Sequence, residues 1–185
     1  AITLMTTVNV VDGTVKAGVY GGCNNTGNVK GDIEVNIYGG ILGVEGAPMS
    51  EGIFGGGLGQ QTTTTGDVTV TVGGTNYTPT IYGNVYGGSA LGWVNNNVET
   101  VTDHLTKVEL KSGTVHGYTY GGGLGEKNGV NGGTSNIEAN VYGNVQVIAN
   151  GATVDTIFGC NDQNGAPKGT VTVTVSDGVV GDVFG

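Results

Sequence analysis

The segment that decides the fold runs from Ile157-Phe158-Gly159, through Val171-Thr172-Val173-Thr174-Val175-Ser176-Asp177-Gly178, to Val183-Phe184-Gly185. Its middle alternates valine with a polar residue, the period-two signal of a strand with one buried face. Asp177-Gly178 then supplies a corner, because glycine reaches φ > 0 without steric cost. A β-branched–aromatic–glycine triplet closes the unit at both ends, and Phe158 and Phe184 lie 26 residues apart.

The same two anchors recur along the chain. The triplet appears at Val19-Tyr20-Gly21, Ile53-Phe54-Gly55, Val85-Tyr86-Gly87 and Thr119-Tyr120-Gly121 as well. Tyr20, Phe54, Tyr86, Tyr120, Phe158 and Phe184 thus make up half of the chain's twelve aromatic residues. Alternating strands are predicted at Val8/Val10, Ile33/Val35/Ile37, Val68/Val70/Val72, Val108/Leu110, Val145/Val147 and Val171/Val173/Val175. Measured from Val10, Val35, Val70, Leu110, Val147 and Val173 to the aromatic of the next triplet, the spacing has a minimum of 10 or 11 residues. The longer intervals carry insertions around Gly43–Ser50, Asn76–Thr80, Trp93–Thr102 and Asn128–Ala139. Pro48 and Pro79 fall in the first two, where an interior strand would exclude them. Further corners are predicted at Asp12-Gly13, Gly39-Gly40, Asn150-Gly151 and Asn164-Gly165, at a similar phase after the strands.

A 26-residue unit with short strands cannot bury its apolar face alone, whereas stacked units can. The expected fold is therefore all-β: a parallel β-helix (β-solenoid) of about six coils of ~26 residues with loop insertions, one domain over 1–185. Right-handed winding is expected by analogy with crossover connections. In-register stacking would set the six aromatics about 4.8 Å apart. They would then form either a structural ladder over the corner glycines or an outer stripe that stacks on sugars, and the sequence leaves the direction of the rings open.

Composition excludes several function classes. The 39 glycines lack the every-third spacing of collagen, and the apolar alternation sets the chain apart from a disordered linker. Net charge is −9, and all six basic residues are lysine. No basic face is available to neutralise phosphate, which argues against nucleic-acid binding and against anionic membrane surfaces. No stretch approaches the ~18 apolar residues of a membrane helix, so no membrane insertion is expected. Residues 1–7 lack a basic n-region and do not read as a signal peptide.

The pattern Val19-Tyr20-Gly21-Gly22 followed by Ile33-Glu34-Val35-Asn36-Ile37, and Ile81-Tyr82-Gly83-Asn84-Val85-Tyr86-Gly87-Gly88, resembles the glycine-rich β-helix repeats of large adhesin-like surface proteins of Bacteroidetes and related bacteria. The resemblance covers almost the whole chain through a short, compositional motif. It implies an extracellular or cell-surface location and a structural or adhesive role, and it transfers no catalytic residue.

Candidate chemical sites are sparse. Cys23 and Cys160 are read at one repeat phase, five coils apart, so about 24 Å along the axis. That excludes an internal disulfide, which needs Cα atoms within about 7 Å, and leaves an intermolecular contact between stacked chains as the alternative to two unremarkable turn residues. His104 and His116 lack partners at zinc-ligand spacing, and Asp103-His104 has no accompanying nucleophile motif, so no metal, cofactor or catalytic residue is predicted. Gly55-Gly56-Gly57-Leu58-Gly59 and Gly121-Gly122-Gly123-Leu124-Gly125 lack the Gly-Lys-Ser/Thr of a P-loop. With Gln61 and Lys127 where Asp is required, they also lack the calcium nonapeptide, and they read as tight corners. Asp32 and Asp67 precede strands at equivalent phase, yet no arginine accompanies them as acidic-polysaccharide cleavage would require. The threonines at 62–65 and at 170, 172 and 174 do not form an ice-binding array, because Glu34, Asn36, Glu109 and Lys111 interrupt it. Asn24-Asn25-Thr26, Asn76-Tyr77-Thr78 and Asp155-Thr156-Ile157 match short glycosylation patterns.

The leading expectation is a non-enzymatic structural or adhesive solenoid that associates end to end or adjoins further repeats of a longer chain. The alternative is a glycan-binding or polysaccharide-degrading solenoid, with a glycan or host-surface ligand held by the loop containing Trp93 and the loop after Gly125.

Overall fold

The computed structural model describes residues 2–95 and 103–185. Among these the chain is all-β, without a helix, and its strands pair in parallel to form a curled sheet of many strands. One face consists of β2 (Thr6–Val10), β6 (Ile33–Ile37), β10 (Val68–Val72), β14 (Leu105–Leu110) and the first halves of β16 (Asn144–Phe158) and β17 (Val171–Phe184). Val8, Val35, Val70, Val108, Val147 and Val173 stand opposite one another across it. The four central valines of this column are fully buried, while Val8 and Val173 in the outer layers are half-buried.

This register corrects the sequence alignment in two layers. Val10 stands opposite Ile37 and Leu110 opposite Ala149, so Val8 and Val108, not Val10 and Leu110, are the residues equivalent to Val35. Both members of each pair are apolar and lie on the same side of their strand, so a shift of two residues leaves the hydrophobic pattern unchanged.

Each strand of this face leaves through a glycine with φ in the left-handed region, from Gly13 at 93° to Gly178 at 98°. Asp12 and Asp177 accept the N–H of the following glycine on Oδ1, which tightens the turn. Gly73 and Gly113 serve the same corner without the Asp-Gly or Asn-Gly signature. Asn164-Gly165 does not belong to it: that pair lies in the turn before Pro167 on a different face.

Beyond the corner the sheet continues through β3 (Thr14–Val15), β7 (Ile41–Leu42), β11 (Thr80–Ile81) and β15 (Thr114–Tyr120) into the second halves of β16 and β17. Alongside run β4 (Gly18–Tyr20), β8 (Gly52–Phe54) and β12 (Val85–Tyr86). A second, four-stranded sheet contains β1 (Ile2–Thr3), β5 (Thr26–Val29), β9 (Gln61–Thr64) and β13 (Trp93–Val94), and parallel bridges extend it to Val141 and Pro167. The inward side chains of all faces meet in one core built from Val, Ile and Leu.

The insertions leave this frame as loops closed by short antiparallel bridges, Val44 with Ala47, Gly74 with Tyr77, and Glu126 with Ile137. Trp93 belongs to strand β13 rather than to an insertion, and residues 96–102 of the expected Trp93–Thr102 insertion lie outside the described residues.

Candidate functional site

The aromatic column is a continuous stack. Ring centroids are 5.2 Å apart for Tyr20–Phe54, 4.5 Å for Phe54–Tyr86, 5.0 Å for Tyr86–Tyr120, 5.0 Å for Tyr120–Phe158 and 4.9 Å for Phe158–Phe184. Adjacent planes lie within 10° of parallel. The next residue in each layer is a glycine turned toward the core. A Cβ on Gly87 would lie 2.4 Å from the Gly121 carbonyl oxygen and close to Thr106 and Val108. Strand alternation therefore places the rings on the opposite, outer side of the wall.

The inner rings are nonetheless covered. The chain turns back after each glycine run, and Leu58, Leu91 and Leu124 pack on the rings in an apolar cluster separate from the main core. Phe54, Tyr86 and Tyr120 are buried, which leaves no ring face there for a sugar. The leucine in each glycine run is thus the lid of the stack, a role that sequence reading missed although Gly-Gly-Gly-Leu-Gly occurs twice.

The phenol groups at this edge find acidic partners. Tyr20 donates to Glu51, and Tyr86 donates to Asp162 at 2.9 Å while accepting from the Asn84 amide at 3.1 Å. Burial pushes the Tyr86 and Tyr120 hydroxyls far above the usual phenol range, and the Asp162 charge adds to this. Burial also raises the Asp162 carboxyl, against the pull of hydrogen bonds from Tyr86 and Tyr120.

The two cysteines do not share a phase. Gly22, Gly56, Gly88, Gly122 and Cys160 form one hydrogen-bonded column, whereas Cys23 falls one residue later. With alternating side chains this offset reverses their environments: Cys23 packs against the core, and Cys160 is exposed. Both are free thiols.

Asp32 and Asp67 do form a ladder, and it is tied to the backbone. Asp32 Oδ1 accepts the N–H of Asp67, and Asp67 Oδ1 accepts the N–H of Leu105, each at 2.9 Å. Asn144 repeats the contact with Thr170. His104 Nδ1 lies 3.2 Å from Asp67 Oδ1 on the surface, and His116 stacks on Tyr82 at 4.7 Å. Among the described residues no group of three His, Cys, Asp or Glu side chains is placed to hold a metal.

A groove of about 580 Å³ is lined by Gln60, Gln61, Thr63, Trp93, Asn136, Ile137 and Glu138. It brings together the two sequence-predicted elements, Trp93 and the loop after Gly125. Trp93 stands next to Thr63 in the second sheet, and its indole N–H donates to the Glu138 carbonyl at 2.8 Å. Tyr142 meets the indole edge-on at 6.2 Å. The opposite wall is braced: Glu126 accepts the N–H groups of Thr134 and Ser135, Asn136 accepts that of Asn128, and Glu138 accepts from the Asn140 amide. Gln60, Gln61, Asn136 and Glu138 were invisible as site residues in the sequence, because polar residues at exposed positions carry no signal of their own.

Comparison with protein-family models, with curated proteins and with solved structures finds no match to this chain.

Proposed function

We propose that the chain is a right-handed β-solenoid of six coils of about 26 residues with loop insertions, and that it serves as a non-enzymatic rigid scaffold or adhesive module at the cell surface or beyond. In this reading it is continued end to end, by a second copy or by further repeats of a longer chain. The observation that carries the proposal is the repeated parallel register, which sets Val8, Val35, Val70, Val108, Val147 and Val173 in one column. In this reading a neighbouring layer would cover Val179, Val183 and Phe184 of Val171–Phe184, which are 64%, 48% and 51% exposed. An apolar strand edge of this length is a template for another strand. The carboxylates support a structural role, since Asp12, Asp32, Asp67 and Asp177 hold backbone N–H groups. The acidic, arginine-free surface and the resemblance to adhesin-like repeats favour an extracellular setting.

Electron microscopy of the purified chain, together with sedimentation velocity, tests this proposal. Filaments or long stacks that shorten when Val179→Lys and Phe184→Asp charge the exposed edge are expected. Monodisperse short particles at all concentrations would remove self-stacking.

A further inference from the structure

We infer that the Trp93 groove is a binding site for neutral oligosaccharide, a role independent of whether the layers stack end to end. Three features of the groove carry the inference together. The first is an aromatic face that is exposed yet immobilised. Trp93 is 39% exposed, and its indole is held by the Glu138 carbonyl and by Tyr142. A fixed indole offers the apolar face of a pyranose a large contact at little cost in side-chain entropy.

The second feature is the polar lining. Gln60, Gln61, Thr63 and Asn136 place amides and a hydroxyl around the indole, groups that both donate and accept as vicinal hydroxyls do. Among the described residues the only charge in the lining is the Glu138 carboxylate, and none of the lining residues is a lysine. An anionic sugar or a phosphate would meet repulsion without compensation.

The third feature is the rigid wall. The loop between Glu126 and Ile137 contributes nothing to the repeating layers, yet it is braced by side-chain-to-backbone hydrogen bonds that hold Asn136 and Glu138 opposite Trp93. A volume of about 580 Å³ accommodates two or more sugar rings. A groove so open to solvent binds weakly, with an expected Kd on the order of 0.1–1 mM.

Trp93 is the chain's single tryptophan, so intrinsic fluorescence reports on the groove alone. The test is a printed array of neutral and acidic glycans, followed by fluorescence titration with cellohexaose, mannohexaose and any array hit, alongside oligogalacturonate and a hexaproline peptide. The expected result is binding of at least one neutral glycan with a saturable change in Trp93 emission. Gln61→Ala and Asn136→Ala should each raise Kd about tenfold, the equivalent of one hydrogen bond. Both residues are exposed; Gln61→Ala should melt with the parent, and Asn136→Ala, which also loses the Asn128 N–H, should lower Tm by no more than about 2–4 °C. Trp93→Ala should abolish the array signal. The inference is overturned if no neutral glycan binds, if only oligogalacturonate or the peptide binds, or if neutral-glycan binding survives Gln61→Ala and Asn136→Ala unchanged.

Discussion

Replacing Phe54 by alanine removes the ring at the best-packed point of the aromatic stack. Phe54 is 1% exposed and lies between Tyr20 at 5.2 Å and Tyr86 at 4.5 Å, parallel to both within 4°. Truncation of a fully buried phenylalanine typically costs about 3–5 kcal/mol, because the cavity it leaves collapses only in part. Within that total, the two stacking contacts contribute about 0.5–1.5 kcal/mol each. Phe184 provides the internal comparison. It has one stacking neighbour at 4.9 Å and is 51% exposed, so Phe184→Ala should cost about 1–2 kcal/mol. For a domain of this size each kcal/mol moves Tm by about 2–4 °C, which converts to losses of about 6–20 °C for Phe54→Ala and about 2–8 °C for Phe184→Ala. Thermal melts followed by far-UV circular dichroism measure both. Equal losses in the two variants would refute the claim that the covered stack, rather than the apolar content of the column, stabilises the fold.

Three further outcomes are expected. Gly87→Ala drives a methyl group against the Gly121 carbonyl, which cannot rotate away, and should cost about 3 kcal/mol or more; Gly13→Ala, with nothing within 4 Å and only an unfavourable φ of 93°, should cost about 1 kcal/mol by chemical denaturation. Because burial raises the Asp162 carboxyl in the folded state, the folded protein holds that proton more tightly than the unfolded chain does. The resulting stability is complete below the ordinary carboxylate pKa and is lost as pH rises through the raised value, so the Tm of the parent relative to Asp162→Asn should fall between acid and neutral pH; a constant difference would show that Asp162 is not desolvated as described. Cys160, exposed, should react with a maleimide well before Cys23, which packs against the core, and any disulfide-linked dimer on non-reducing gels should vanish with Cys160→Ser but persist with Cys23→Ser.

Much of the layer architecture was legible in local patterns. Alternation at Val68-Thr69-Val70-Thr71-Val72 and at Val171-Thr172-Val173-Thr174-Val175 is a property of each strand by itself, and the structure finds both as strands in one sheet. The recurring aromatic-glycine pair carried a second, independent phase, and the structure stacks those six rings. Relative placement was less legible where the pattern is degenerate. Val8 and Val10 are both inward and apolar, so only backbone pairing distinguishes which of them faces Val35. Cys23 and Cys160 follow the same triplet, but one glycine separates them in phase, and in a strand one residue reverses the side on which a side chain lies.

The sequence by itself determined that this chain forms β-strands, where they alternate, and which residues recur from layer to layer, because strand periodicity and glycine corners act over a few neighbouring residues. Tertiary structure alone decided what covers the aromatic stack and where a groove forms. The inner rings, Phe54, Tyr86 and Tyr120, are buried because Leu58, Leu91 and Leu124 fold back over them from loops, and Trp93 faces a groove because the loop ending at Ile137 comes from a later layer. Such contacts join segments dozens of residues apart, and their positions depend on the stacking that brings those segments side by side.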